Sequence, residues 1–271
     1  MSVRKRERIE RIQEYLQCTT RATISELREL LKASEATIRR DLDELANIGA
    51  VNRIRGGAVL LNTMNAQPLV IQRGFTRAEE KRRIGRRAAE LINDGETVFI
   101  GSGSTALEVA KNLIGHKNLT VITNSLPVIN VLINVPGIKI VVTGGFLRNS
   151  ELSLIGHLVE KSLSELRADK TIIGMQGIHT LHGLTNDFLP EAMTDRTIAN
   201  FAPELIVVVD SSKFGKISTS FVADLNLVST IVTDYKISSE ILSELQAYGL
   251  RVIIAEQNHD GSRTVSKDRT I

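Results

Sequence analysis

The sequence predicts an α/β protein in two parts, an N-terminal winged helix-turn-helix head and a larger body built on a largely parallel sheet. Three observations predict it. Between Thr23 and Gly57, two short stretches with apolar residues at helical spacing are followed by a glycine-ended hairpin. From Asp94-Gly95 onward, short Val/Ile/Leu runs alternate with amphipathic helical patterns, the signature of repeated strand–helix units. Residues 62–76 between them lose periodicity and carry Asn, Gln, Pro68 and Gly74, as a connection does. A chain of 271 residues suits a short head plus a larger body, and 42% hydrophobic with 24% charged residues is a globular, core-forming composition.

In the head, residues 4–17 form a first helix with Ile9, Ile12 and Leu16 on one stripe. Thr23 to Lys32 places Ile24, Leu27 and Leu31 on one face. Ala33 and Ser34 make the turn; the Ser34 hydroxyl accepts an orphan backbone N–H, and Glu35 favours the positive end of the helix dipole, so a further helix starts there. Its packing stripe is Ile38, Leu42 and Leu45. Ala36, Arg40 and Asp43 point away, with Thr37 and Arg39 on the flanks. Ala50–Ile54, a turn around Arg55, Gly56 and Gly57, and Ala58–Leu61 make a two-stranded wing.

Two short helices with a tight turn are the geometry that lays the second helix in a DNA major groove. The candidate DNA-binding residues are Ser34, Thr37, Arg39 and Arg40 on that helix, with Arg53 and Arg55 on the wing reaching a phosphate backbone or a minor groove. Periodicity alone equally allows an ordinary packing unit with Arg39-Arg40-Asp41 as a solvated, internally paired face. Arg8, Ile12, Leu16, Ser34, Thr37, Ile38, Arg39, Arg40, Asp41 and Leu42, at these spacings, resemble the N-terminal signature of the DeoR family of bacterial repressors, and Arg53 to Ala58 resembles its Gly-Gly-Ala wing.

Charge agrees in sign. Residues 1–61 hold 12 Lys+Arg against 9 Asp+Glu, and residues 62–271 hold 22 of each, so the whole excess of +3 lies in the head. Three charges are a weak footprint for a polyanion, and dimerisation would be needed to make it strong. Cys18 is the only cysteine, which points to a reducing compartment. Met1–Glu14 lacks the apolar core of a signal peptide, and no run of 18 apolar residues occurs. A cytoplasmic protein with no membrane contact is expected.

Arg77–Asn93 is a helix with Ile84, Ala88 and Leu91 inward. Lys81, Arg82, Arg83, Arg86 and Arg87 crowd onto it and read as a solvated face of a connecting helix, with a backbone or subunit contact as the alternative. Strand and helix then alternate: Thr97–Ile100 and Ala106–Ile114, Leu119–Thr123 and Leu126–Ile133, Ile138–Thr143, Leu158–Leu166, Lys170–Gly174, Pro190–Ala199, Leu205–Asp210, Thr230–Thr233, Ser238–Tyr248 and Val252–Ile254. The domains are therefore 1–61 head, 62–76 linker and 77–256 body, with 257–271 a loose polar tail.

Functional residues of such a body gather where strands end. Gly101-Ser102-Gly103-Ser104-Thr105 lies between a strand and a helix, where backbone N–H groups, hydroxyls and a helix N-terminus hold a phosphate; a tight turn with a Ser/Thr cap gives the same pattern. The G-x-G-x-x-A match lacks an acidic residue after the next strand, Thr123-Asn124-Ser125, so a dinucleotide fits poorly. Other strand ends carry Thr143-Gly144-Gly145, Gly174 to Gly177, Glu191 with Arg196, and Asp210 to Gly215. Together these resemble the DeoR-family body, whose effector domain is similar to ribose 5-phosphate isomerase and glucosamine 6-phosphate deaminase. The resemblance spans residues 4 to about 256. It implies an effector site of Ser102, Gly103, Ser104, Thr105, Asn124, Glu191 and Lys213, the last beside Asp210. The family usually has an aspartate where this chain has Gly101.

What the resemblance implies is a repressor of a carbohydrate operon, its body binding a phosphorylated sugar and its head a double-stranded operator, as a homodimer or homotetramer. No cofactor, metal or catalytic site is expected. A sugar-phosphate isomerase or deaminase with an appended head is the alternative, with Asp187, Glu191 and Asp210 as candidate bases. No base stands at the phosphate loop, and no carboxylates pair closely in sequence.

Overall fold

The computed structural model describes residues 3–19, 21–60 and 69–256; the expected tail, the first part of the linker (residues 62–68) and the side chain of Cys18 lie outside the described residues. The head is three helices, α1 (Val3–Thr19), α2 (Ile24–Leu31) and α3 (Glu35–Asn47), with a small sheet of β1 (Arg21–Thr23), β2 (Val51–Ile54) and β3 (Gly57–Leu60). The helix starts follow from local chemistry. Thr23 closes a capping box with Glu26 ahead of α2, and Ser34 accepts the Thr37 N–H ahead of α3. Ile9, Ile12, Leu16, Leu27, Ile38, Leu42 and Leu45 bury together as the head's own core. The strand β1, which pairs with β3, has no counterpart in the sequence reading; three residues are too few to show a period.

A single helical turn, α4 (Val70–Arg73), leads into α5 (Ala78–Ala89) and the body. The body alternates β4 (Thr97–Ile100), α6 (Ser104–Lys111), β5 (Leu119–Thr123), α7 (Leu126–Leu132) and β6 (Ile138–Val142). A hairpin of β7 (Phe146–Arg148) and β8 (Ser153–Ile155) follows, then α8 (His157–Glu165), β9 (Lys170–Ile173), β10 (Gly177–His179), β11 (Gly183–Asn186) and α9 (Leu189–Ala199). The last elements are β12 (Glu204–Val208), β13 (Ser220–Ala223), β14 (Thr230–Asp234), α10 (Ser239–Ala247) and β15 (Arg251–Ala255).

Seven strands form one parallel sheet in the order β15-β14-β12-β9-β4-β5-β6. Side chains alternate across it. Val98 and Ile100 pack with α5, α6 and α7 on one face, while Phe99 packs with residues of α8, α9 and α10 on the other. The chain runs outward from β4 to β6 and then returns to place β9 on the other side of β4. Strand order therefore reverses between β4 and β9, and their carboxyl ends open a crevice there. Gly85 lets α6 approach α5: a Cβ at that position would meet the Glu108 backbone at 2.5 Å. The three-stranded sheet β10-β11-β13 and the β7–β8 hairpin complete the body. Among the described residues no helix is long and apolar enough to cross a membrane.

Candidate functional site

Two surfaces carry the chemistry. On the head, the residues named from the sequence divide by what they touch. Ser34 is exposed, and its hydroxyl lies 2.8 Å from that of Thr37, so both polar atoms stand at the free N-terminus of α3. Arg39 is exposed and binds Glu35 one turn back at 2.6 and 2.9 Å; Arg40 is exposed beside it. Asp41 departs from the solvated-face reading: it is 1% exposed and takes a bidentate grip from Arg8 of α1, fixing α3 to the rest of the head. Arg55 is exposed at the wing turn. Arg53 is half-buried and tied inward, to Asp43 at 3.0 Å and the Gly57 carbonyl at 3.1 Å.

In the body, a cavity of about 220 Å³ lies at the β4/β9 crossover. Of the residues expected at an effector site, Ser102, Gly103, Ser104, Thr105, Glu191 and Lys213 line it. Asn124 does not; it is 2% exposed and donates to the Leu154 carbonyl at 2.9 Å, holding the β7–β8 hairpin against the end of β5. Gly103, at φ 109°, is the N-cap of α6 and supplies no side-chain cap, so the first-turn N–H groups keep their hydrogen-bonding capacity at the cavity wall. Gly101 also lines the cavity, and a Cβ there would meet Ile173 Cγ2 at 3.0 Å.

The lining holds two charge clusters. The first is cationic and includes Arg77, Lys81 and Lys213 around Asp210. Lys81 overturns the reading of its helix as a wholly solvated basic face: it is 5% exposed, and its ammonium donates to the Arg73 carbonyl at 2.5 Å. Burial pushes its pKa down to about 8, against the opposing pull of Asp210. Burial likewise lowers Lys213, whose ammonium reaches Gln176 at 3.3 Å. Burial would raise Asp210, but the Ser212 hydrogen bonds and the two lysines hold it below the usual carboxylate range.

The second cluster is acidic. Glu151, Glu191 and Asp195 are all nearly buried, and Asn186 bridges the last two, donating at 3.1 and 2.8 Å. Burial, and then their mutual repulsion, raise Glu191 and push Asp195 well above its ordinary value. Glu191 does not pair with Arg196 at the surface. It takes Arg148 and Ser153, while Arg196 binds the Phe221 carbonyl at 3.0 and 2.9 Å. Glu191 and Asp195 are thus a close carboxylate pair four residues apart on α9, a spacing legible in the sequence as one helix face and there passed over. Asp187 is exposed and outside the cavity lining. An ion pair between Arg73 and Glu151 joins the clusters; one Glu151 oxygen is buried with no hydrogen-bond partner.

Comparison with known proteins agrees with this division. Residues 8–64 match the DeoR-like helix-turn-helix domain and residues 76–235 the DeoR C terminal sensor domain. The chain is 32% identical over 250 residues to the HTH-type transcriptional regulator GolR of Listeria innocua, covering 92% of this chain and 98% of that protein. It is 37% identical over 209 residues to the glycerol-3-phosphate regulon repressor of Escherichia coli, covering 77% and 82%. Ribose 5-phosphate isomerase A of Methanocaldococcus jannaschii overlaps 51% of this chain and 55% of its own at 19% identity, with a TM-score of 0.37. With both parts matched along most of its length, this chain belongs to the DeoR family of transcriptional regulators.

Proposed function

We propose that the protein is a repressor of a carbohydrate operon, and that the cavity of its body binds a phosphorylated sugar whose occupancy changes the grip of the head on an operator. One observation carries the reading: a single crevice holds Lys81, Lys213, Arg77 and the uncapped start of α6 in one cluster, and Glu151, Glu191, Asp195 and Asn186 in another. Cations and helix N–H groups suit a phosphate dianion. Carboxylate oxygens and an amide suit sugar hydroxyls, which need acceptors. The E. coli relative named for glycerol 3-phosphate supports a phosphate ester of a polyol as the ligand class.

The head is residues 1–61, the linker 62–76 and the sensor 77–256, working in the cytoplasm as a homodimer or homotetramer that places two copies of α3 on paired half-sites. Ser34, Thr37, Arg39 and Arg40 read bases, and Arg55 takes backbone. Arg53 reaches DNA only by leaving Asp43. Calorimetric titration of a panel of pentose and hexose phosphates, with and without operator DNA, tests the reading. One member binds, and DNA changes its affinity by about 1–3 kcal/mol, reciprocally. Absence of binding across the panel refutes the sensor, and turnover of a bound sugar phosphate refutes a purely regulatory role.

A further inference from the structure

We propose that Gln72 and Arg73, neighbours on α4, are the link through which the cavity acts on the DNA-reading helix; this rests on the sensor reading above. The two side chains reach opposite ways. Arg73 lines the cavity and pairs with Glu151, and its carbonyl accepts from Lys81. Gln72 donates its amide to the Gly49 carbonyl at 2.7 Å, in the head.

Gly49 is where α3 ends. It sits in the left-handed region at φ 69°, with its N–H on Ala46 O at 2.9 Å and the Ala50 N–H on Leu45 O at 2.8 Å. That pair of bonds closes the helix and sets the direction in which β2 of the wing departs. The rest of the segment is divided between the two parts in the same way. Phe75 packs on the head core, while the Val70 N–H donates to Ser150 O at 2.8 Å, beside Glu151 in the body. A four-residue helix has little rigidity of its own, so its position is set by these contacts.

A phosphate among Lys81, Lys213 and the start of α6 presents Arg73 with a dianion that competes with Glu151. Lys81 also holds the Arg73 carbonyl, so Lys81 and Arg73 turning toward the anion together draw on α4, and a displacement of about 1 Å takes the adjacent Gln72 amide beyond hydrogen-bond range of Gly49. The ligand thereby changes how firmly the C-terminal end of α3 and the root of the wing are held to the body. Gln72 is outside the cavity lining, which makes it the residue to test.

The experiment uses the full chain, a duplex selected in vitro for binding, and as probes a panel of pentose and hexose monophosphates with inorganic phosphate. In the wild type, the responding probe shifts duplex affinity by about 5–150-fold. In Gln72→Ala the probe binds in the absence of DNA at least as tightly as to the wild type, since no Gln72–Gly49 bond has to be given up, and the shift collapses toward one. A Gln72→Ala chain that responds as strongly as wild type overturns the coupling and leaves the sensor standing. A wild-type chain that binds none of the probes overturns the sensor, and the coupling with it. Hydrogen exchange on the wild type needs no variant: the probe changes protection at both residues 69–76 and residues 45–54, and an unresponsive 45–54 segment overturns the proposal.

Discussion

Lys81 should weaken the protein it serves, and replacing it with methionine measures by how much. The side chain is 5% exposed, and burial brings its pKa to about 8 from the ordinary 10.5. A gap of about 2.5 units at 1.36 kcal/mol each makes the buried charge cost roughly 3 kcal/mol at pH 7. The substitution also removes the ammonium's hydrogen bond to Arg73 O, worth about 1.5–3 kcal/mol, so Lys81→Met gains roughly 1 kcal/mol net. For a chain of this size that is a rise of roughly 2–4 °C in melting temperature. The pH dependence identifies the cause. Below about 8 the lysine is charged in both folded and unfolded chains and the full cost applies. As pH rises toward 10.5 the folded form is already neutral while the unfolded form still binds a proton, so wild-type stability climbs and the variant's advantage shrinks. Urea titrations of both proteins at pH 7 and pH 10 read this directly. A variant less stable than wild type at pH 7, or an advantage that persists undiminished at pH 10, would refute the assignment of a buried, destabilising ammonium at this wall. The same variant should lose phosphate-ester binding, as expected when a site's charge opposes stability.

Three further outcomes follow from the two surfaces. Arg39→Ala costs about 1–3 kcal/mol on the selected duplex and relaxes its sequence preference; equal affinity and preference in a mobility-shift titration would reject base reading by this residue. Lys213→Ala weakens the sugar-phosphate response in calorimetry while duplex affinity in the absence of ligand is retained, and an unaltered titration would remove Lys213 from the site. Asp195→Asn keeps an oxygen for Asn186 and removes a buried acid whose pKa lies well above its ordinary 3.8. The stability contributed by an acid raised in this way is present below pH 3.8 and lost as pH climbs through the folded value, so the variant gains on wild type at neutral pH and loses that gain in acid. Matched urea midpoints at pH 7 would contradict it.

The periodic parts of the molecule were legible because period and burial are the same fact. Strand β5 runs over Leu119–Thr123 as its apolar run does, and α3 begins at Glu35, where a serine cap places it. What escaped was short or non-local. The hairpin carrying Glu151 and Ser153, and the strand that ends at Asn186, are three or four residues long, too brief to carry a pattern. The cavity residues Arg73, Lys81, Glu151 and Asp195 meet only because the fold brings α4, α5, the β7–β8 turn and α9, distant in sequence, to one crevice. Lys81 shows the limit most clearly: among five basic residues on one helix, only tertiary contacts, with the Arg73 carbonyl and Asp210, distinguish the buried one from its more exposed neighbours.

The crowding of Gly101 by Ile173 bears on what the floor of the pocket can be made to accept. Any side chain at that position needs room beside Ile173, whose Cγ2 stands 3.0 Å from where its Cβ would be. Adding a side chain at 101 alone therefore pushes on Ile173 at the floor of the pocket, while trimming Ile173 alone widens the cavity the two residues line. The two positions therefore share one allotment of space, and a larger residue at 101 is best tried together with a smaller one at 173.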